Sequence, residues 1–175
     1  MKIFAFAASS SKQSINKQLV TYASTFLAGV DIEIADLNDY DLPLFSEDKE
    51  KELGHPEKAQ HFLDKIKSSD GLLISFAEHN GTYSVAYKNL FDWCSRINPK
   101  VFQNKPMVLL ASSPGARGGS SVLKTAVDSA PYFSGSVVGS ASVPRFYENF
   151  DANTLSIKDK NINAQVKQAV EGLLN

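Results

Sequence analysis

Apolar and polar positions follow two different periods along this chain. Three short runs are predicted to be strands buried on both faces: residues 3–7, which are continuously apolar, and residues 71–76 and 106–111. Residues 30–34 alternate apolar and acidic side chains, which predicts a half-exposed edge strand. Residues 135–141 predict a weaker strand at the far edge of the same sheet. The pattern therefore predicts five strands.

Apolar residues between these strands recur at the three- and four-residue spacing of amphipathic helices. Helices are predicted after residue 14, from Pro56, after residue 82, after residue 119 and over residues 159–174. Residues 36–48 form a long connection, and residues 47–52 alternate in charge and are interpreted as a solvated stretch. The predicted inward faces are Ile15, Leu19, Tyr22, Ala23 and Phe26; Ala59, Phe62, Leu63 and Ile66; Tyr87, Leu90, Phe91, Cys94 and Ile97; Val122, Leu123, Ala126 and Val127; and Ile162, Val166, Ala169, Val170 and Leu173.

Strands that alternate with helices predict right-handed crossovers and a parallel sheet with helices on both faces. Five strands in 175 residues favour the order 2-1-3-4-5 in one three-layer domain spanning residues 1–175. The chain then changes direction between strands 1 and 3. Ligands of such sheets bind beside that point, at the carboxyl ends of the strands.

Small polar residues follow each of the three buried strands, in residues 9–16, 77–84 and 112–119. In the first of these loops, serine hydroxyls precede the start of a helix, where unpaired N–H groups and the helix dipole favour a phosphate. An ordinary capping serine in a solvated loop is the alternative. The Gly-x-Gly-x-x-Gly and Gly-Lys-Ser/Thr phosphate motifs are absent. The convergence of three such loops favours phosphate binding.

Composition limits the kinds of binding partner and the cellular compartment that are expected for this protein. The net charge is −1 with no basic stripe, which argues against nucleic acid. One cysteine rules out an internal disulfide and suits the reducing cytoplasm. No apolar run approaches the ~20 residues of a membrane span, and no signal peptide is recognised. The expectation is a soluble cytoplasmic protein without a membrane partner.

At these loops the sequence resembles the NADPH-dependent FMN reductase family. The family's first loop reads Gly-Ser-x-Arg-x-x-Ser-x-Asn, and Ser9, Ser14 and Asn16 match it. Ser11 stands at the arginine position, with Lys12 beside it. A lysine offers a point charge where arginine offers a bidentate fork.

The second and third loops extend the resemblance. The family's Pro-Glu-Tyr-Asn-x-Ser corresponds to residues 77–82, where Glu78 and Asn80 match and Ala77, His79 and Thr82 replace the proline, tyrosine and serine. Its Leu-Lys-Asn and Asp-Trp correspond to residues 87–93, with matches at Lys88, Asn89, Asp92 and Trp93. Its Ser-x-Gly-x-x-Gly-Gly matches residues 113–119, and the Lys-Asn-x-x-Asp-Trp segment is the most specific match. The resemblance implies that FMN contacts Ser9, Ser11, Lys12, Ser14, Ile15, Asn16, Glu78, His79, Asn80, Gly81, Thr82, Ser113, Gly115, Gly118 and Gly119.

By this resemblance the chain is a flavodoxin-like oxidoreductase. NADPH or NADH would give hydride to FMN, and a quinone, free flavin or similar small acceptor would take the electrons. The flavin carries the chemistry, so no catalytic side chain and no metal are expected. The family's assembly implies a homodimer or homotetramer. Two alternatives remain open, a non-catalytic module with weak or no flavin binding and a one-electron carrier.

Several residues near the loops receive individual interpretations. His79 is placed either on the flavin ring or in solvent, and Arg117 either on a phosphate of the nucleotide or on the surface. Lys88, Asn89 and Asp92 are expected to be structural, and Trp93 to pack at a subunit contact. Cys94 is expected to be a small core residue, because nothing near it would lower its pKa.

Overall fold

A computed structural model describes residues 1–175. One sheet organises the chain, and its strands end with small or polar residues where the apolar runs stop. The strands are β1 (Lys2–Ala8), β2 (Asp31–Ala35), β3 (Gly71–His79), β4 (Thr82–Tyr83), β5 (Lys105–Ser112) and β6 (Gly135–Val143). A separate hairpin pairs β7 (Phe150–Asp151) with β8 (Ser156–Ile157).

Helices connect these strands and cover both faces of the sheet. They are α1 (Ile15–Ser24), α2 (Glu47–Leu53), α3 (Glu57–Ser68), α4 (Val85–Ile97), α5 (Ser120–Ser129), α6 (Phe146–Asn149) and α7 (Lys160–Glu171). Short 3-10 helices occupy Leu37–Tyr40, Ala130–Phe133 and Gly172–Leu174. No helix is long and apolar enough to cross a bilayer.

The main strands lie in the order β2-β1-β3-β5-β6, and all four neighbouring pairs are parallel. This is the predicted order 2-1-3-4-5 in a flavodoxin-like fold, with β2 and β6 at the edges as expected. The prediction missed β4, which pairs antiparallel with the end of β3. The direction of the chain reverses between β1 and β3, so the predicted ligand-binding edge lies above these two strands.

Two apolar clusters fill the two sides of the sheet, because successive strand residues point to opposite faces. Phe4, Phe6 and Ile74 pack with α3, α4 and α5 on one side. Ile3, Ala5 and Leu73 pack with α1 and α7 on the other. The predicted inward face of α3 is buried throughout, at Ala59, Phe62, Leu63 and Ile66.

Residues 47–52 are solvated as predicted, but the prediction missed that they form helix α2. This helix buries none of its residues, so a periodicity search has no apolar face to find. Ser46 caps its first turn by accepting from Lys49 N–H. Arg96 Nε contacts both carboxylate oxygens of Glu50 at 3.0 and 2.9 Å, which ties α2 to α4. Helix α2 is therefore held by its N-cap and by an ion pair with α4, and not by burial of an apolar face.

Candidate cofactor site

The three predicted loops meet above the carboxyl ends of β1, β3 and β5. Between them lies a cleft of about 210 Å³. Thirteen residues line it: Ser9, Ser11, Gln13, Ser14, Ile15, Asn16, Ala77, Glu78, His79, Ser112, Ser113, Pro114 and Tyr147. The predicted convergence of the loops at one edge of the sheet is confirmed.

The first loop carries unpaired hydrogen-bond donors, and three of the four residues that bear them, Gln13, Ile15 and Asn16, line this cleft. Ser14 caps α1 by accepting from Lys17 N–H at 3.2 Å, and Ser9 Oγ accepts from Ser11 N–H at 3.2 Å. The backbone N–H groups of Lys12, Gln13, Ile15 and Asn16 donate to no acceptor within the chain. Such donors at a helix N-terminus, together with serine hydroxyls, form a site suited to an anion.

The Asn16 side chain is buried beneath this loop, with 1% of its surface exposed. Its Oδ1 accepts from Ser75 Oγ at 2.8 Å and from Ser112 N–H at 3.0 Å, and its Nδ2 donates to Ser112 O at 3.2 Å. The amide therefore joins the first turn of α1 to the ends of β3 and β5. Both polar atoms of the Asn16 side chain contact residues of the chain itself, so this side chain positions the loop.

The second loop is a tight hairpin in which His79 pairs with Thr82. The two residues between them, Asn80 and Gly81, have φ values of 51° and 81°. Two central residues with positive φ are the hallmark of the type I′ turn, for which Asn-Gly is the strongest sequence signal. Ser84 anchors the hairpin by donating from its hydroxyl to Ala8 O at 2.8 Å.

Glu78 belongs to both the cleft and helix α5. Its Oε2 accepts from Val122 N–H at 3.0 Å, inside the first turn of α5. Gly119 stands at the N-cap of this helix and has no side chain to cap it. Glu78 supplies the missing acceptor from the end of β3, and its negative charge lies at the positive end of the helix dipole.

The third loop is held against the segment that follows β6. Gly115 O accepts from Arg145 N–H at 2.9 Å, and Ser113 O accepts from Phe146 N–H at 3.1 Å. These contacts bring Tyr147, which is 70% exposed, to the wall of the cleft. Tyr147 lies outside the three loops in sequence, and no motif marks it.

Some of the residues predicted to contact FMN line the cleft, and others do not. Eight line it: Ser9, Ser11, Ser14, Ile15, Asn16, Glu78, His79 and Ser113. Seven lie beside it without lining it: Lys12, Asn80, Gly81, Thr82, Gly115, Gly118 and Gly119. Sequence reasoning missed Gln13, Ala77, Ser112, Pro114 and Tyr147 as lining residues, although the first four are neighbours of predicted positions.

The Lys-Asn-x-x-Asp-Trp segment is structural. Lys88 and Asp92 form an ion pair one helical turn apart, at 2.7 Å. Asn89 accepts from Phe45 N–H at 2.8 Å, and its amide and the Trp93 indole both donate to Pro43 O, at 3.1 and 2.8 Å. The expected subunit contact of Trp93 is wrong, because its side chain is fully buried within this chain. Asn89 and Trp93 instead hold the long connection against α4.

A second cavity, of about 180 Å³, lies between α4 and α5 and shares no residue with the cleft. Its lining is mainly aromatic and aliphatic, with Phe76, Met107 and Leu109 among its residues. It contains neither the hydroxyl cluster nor the helix N-terminus of the first loop. The free N–H groups at the start of α1 therefore favour the cleft as the place of a phosphate.

Cys94 lies in the core, as predicted. Its thiol is fully buried, and burial raises its pKa to about 12. We expect the native protein at pH 8 to react with an aromatic disulfide reagent only as fast as it unfolds, since the thiolate is both scarce and inaccessible. Absorbance of the released thiol measures the rate, and protein in denaturant should show one reactive thiol per chain. Rapid stoichiometric labelling of the native protein would contradict the assignment.

The fold and the cleft together define a flavodoxin-like protein with a hydroxyl-lined cleft at the switch point of its sheet. The family model described as NADPH-dependent FMN reductase matches residues 1–147. The chain therefore belongs to this family, as the loop motifs predicted.

Individual relatives agree with this assignment. An NAD(P)H-dependent FMN reductase of Pseudomonas aeruginosa is 36% identical over 90 residues, covering 51% of this chain and 47% of that protein. A quinone reductase of Escherichia coli K12 is 30% identical over 125 residues, covering 66% of each chain. The matches thus span about half to two thirds of these relatives.

Solved structures share the fold over nearly the whole chain. The flavoenzyme NAD(P)H:(acceptor) oxidoreductase FerB of Paracoccus denitrificans superposes with a TM-score of 0.74 at 22% identity, covering 99% of this chain and 97% of that one. An oxidoreductase of Corynebacterium diphtheriae gives 0.76 at 19% identity, covering 99% and 94%. At these identities the likeness concerns the fold.

Proposed function

We propose that this chain is an FMN-dependent NAD(P)H oxidoreductase that reduces a quinone, a free flavin or a similar small acceptor. The observation that carries the proposal is the set of three cleft-lining residues at the start of α1 with unpaired N–H groups, Gln13, Ile15 and Asn16, in a member of the FMN reductase family. The names of the relatives supply the reaction class, and the cleft supplies a place for the cofactor.

The residues present fit a phosphorylated flavin. The hydroxyls of Ser9, Ser11 and Ser14 join the free N–H groups around the phosphate position, where each can donate to an anionic oxygen. His79, Ser113, Pro114 and Tyr147 line the remainder of the cleft, which is the side assigned to the ring. The hairpin tip at residues 80–82 and the loop at residues 115–119 flank that side and would border the ring edge.

Bound FMN supplies the hydride chemistry, and the chain supplies position. Three ionisable side chains line the cleft, Glu78, His79 and Tyr147. The carboxylate of Glu78 already accepts from Val122 N–H, so its role is to position α5 and the third loop. His79 and Tyr147 are both exposed and free to approach a substrate. The acceptor would enter on this side of the cleft.

The test is reconstitution with FMN. Purified protein incubated with FMN should acquire a bound flavin spectrum, and anaerobic NADPH or NADH should bleach it. Added quinone should restore the oxidised spectrum, with one quinone reduced per nicotinamide oxidised. Flavin that stays oxidised with NAD(P)H would indicate a one-electron carrier. Failure to take up FMN at any concentration would indicate a non-catalytic module.

We further propose that residues 1–175 form one cofactor-binding domain that works as a homodimer or homotetramer in the cytoplasm. One buried free cysteine is compatible with a reducing compartment. Tyr147, Tyr132 and Val85 are at least 70% exposed and offer apolar area for a subunit contact. Sedimentation velocity tests the assembly, and a monomer at micromolar concentration would contradict it.

A further inference from the structure

We propose that the cavity between α4 and α5 is a second binding site, which takes a small neutral molecule made of one aromatic ring and a hydroxyl group. The proposal does not depend on the oxidoreductase activity, because this cavity shares no residue with the cleft. It rests on an unpartnered hydroxyl group inside the cavity, on the apolar lining and on the volume.

The unpartnered hydroxyl belongs to Tyr87 of α4, which lines the cavity and has only 4% of its surface exposed. Its ring packs against those of Phe76 and Tyr83, with centroids 5.3 and 5.1 Å away, and its hydroxyl makes no hydrogen bond with any residue. Every fully enclosed polar side-chain atom of this protein has a partner, so the Tyr87 hydroxyl is open to the cavity. An unpaired buried hydroxyl costs stability, which a ligand that pairs with it would recover.

Two further hydroxyl groups belong to residues that line the same cavity. Tyr83 Oη lies 3.3 Å from Ser129 Oγ, and Ser129 Oγ donates to Ala126 O at 3.3 Å. Tyr83 is then the donor between the two hydroxyls, and both oxygens keep lone pairs that can accept. A ligand hydroxyl therefore finds acceptors here as well as the free donor of Tyr87.

The lining and the volume select an aromatic ring of limited size. Nine of the fourteen lining residues are hydrophobic, and Phe76, Met107 and Leu109 close the side toward the sheet. The volume is about 180 Å³. An engineered apolar cavity of about 150 Å³ in another protein binds benzene. Phenol adds one oxygen atom to benzene and matches this cavity, whereas the three fused rings of a flavin exceed it.

The charges around the cavity favour a neutral ligand. Lys88 and Asp92 are the only charged residues of the lining, and they pair with each other at 2.7 Å. Burial raises the pKa of Tyr87 well above its usual range, so its hydroxyl stays protonated and available as a donor. A charged ligand would lose its hydration without gaining an unpaired partner.

The experiment measures binding of phenol, toluene and benzoate by calorimetry. Wild-type protein should bind phenol with a dissociation constant of about 1 mM or tighter, and benzoate about tenfold more weakly or less. Tyr87→Phe should weaken phenol about fivefold and leave toluene, which has no hydroxyl, within about twofold. Since the Tyr87 hydroxyl has no partner in the chain, this variant should melt within about 3 °C of the wild type.

Two further variants serve as controls. Tyr22→Phe makes the same chemical change on the other side of the sheet, where Tyr22 Oη donates to Asn163, and should leave phenol within about twofold. Ala126 lines the cavity, so Ala126→Leu should fill it and abolish binding of both phenol and toluene. Circular dichroism checks folding, and Tyr87→Phe decides the question if the leucine variant does not fold.

The other outcomes would overturn the proposal. Wild-type protein that binds neither phenol nor toluene at about 10 mM has no such site. A phenol affinity that is unchanged in Tyr87→Phe, or that falls together with that of toluene, would show that this hydroxyl does not recognise the ligand. Displacement of phenol by FMN would place it in the cleft. Each of these results leaves the oxidoreductase proposal standing, because reconstitution with FMN tests that proposal separately.

Discussion

Replacing Gly118 by alanine is expected to lower the free energy of unfolding by about 3 kcal/mol, from the strain of a left-handed backbone and from overpacking. Gly118 has a φ of 58°, where side chains are disfavoured. An added Cβ would lie 2.3 Å from Ser142 Oγ and 2.8 Å from Pro144 N. The backbone at Pro144 cannot yield as a flexible side chain would. Urea denaturation measures the loss, and FMN affinity should fall with it.

Gly115→Ala, in the same loop, is the matched control. The only atom within 4 Å of its added Cβ is Ser113 Oγ at 3.8 Å, which is an ordinary contact. We expect the free energy of unfolding to change by no more than about 0.5 kcal/mol. Equal losses in the two variants would show that the close packing of Gly118 against residues 142–144 does not limit this loop.

Asn16→Asp is expected to destabilise the protein by about 3 kcal/mol at pH 8, since it leaves a charge buried with incomplete partners. The Oδ1 position keeps its two donors, Ser75 Oγ and Ser112 N–H. The Nδ2 position, which donates to Ser112 O, becomes a second acceptor facing that carbonyl oxygen. FMN binding should weaken too, because this contact positions the first turn of α1.

The loss of unfolding free energy in Asn16→Asp should increase with pH. Burial and the facing carbonyl raise the pKa of the introduced carboxyl above its unfolded value of about 3.9, because both disfavour the charged form. A protonated carboxyl can donate to Ser112 O, so the deficit against wild type is smallest near pH 4. It grows as the pH rises through the folded pKa.

The exposed Asn161, in the first turn of α7, provides the control for this pH dependence. Asn161→Asp should change the free energy of unfolding by about 0.5 kcal/mol or less across the same range. Thermal melts of both variants from pH 4 to pH 8 measure the difference. A pH-independent deficit in Asn16→Asp would contradict the buried contacts assigned to this residue.

Most of the sheet and its helices could be predicted, because the spacing of apolar residues along the chain indicates which faces of these elements are buried. The runs at residues 3–7, 71–76 and 106–111 became the cores of β1, β3 and β5, and the predicted inward faces of α3 and α4 are buried or half-buried. The order of strands followed from their alternation with helices. The three polar loops were predictable because each directly follows a buried strand.

With one exception, the sequence predictions failed where the pattern of nearby residues gives no information on burial or on tertiary contacts. Helix α2 buries no face, so its sequence shows none. Trp93 was predicted to pack at a subunit contact. It is buried within the chain because residues 42–45 pack onto α4, and the Trp93 indole donates to Pro43 O. The exception is the Asn80-Gly81 hairpin, whose turn signal was present in the sequence and was interpreted only as a loop.

The sequence alone therefore determined the strand order, the family and the three loops that meet at one edge of the sheet, since each of these depends on residues close together in the chain. The tertiary structure decided which side chains face the cleft. It turned the Asn16 amide toward β5, joined Glu78 to α5, brought Tyr147 to the wall and left Lys12 outside. These directions depend on contacts between residues far apart in the chain, because only packing brings such residues together.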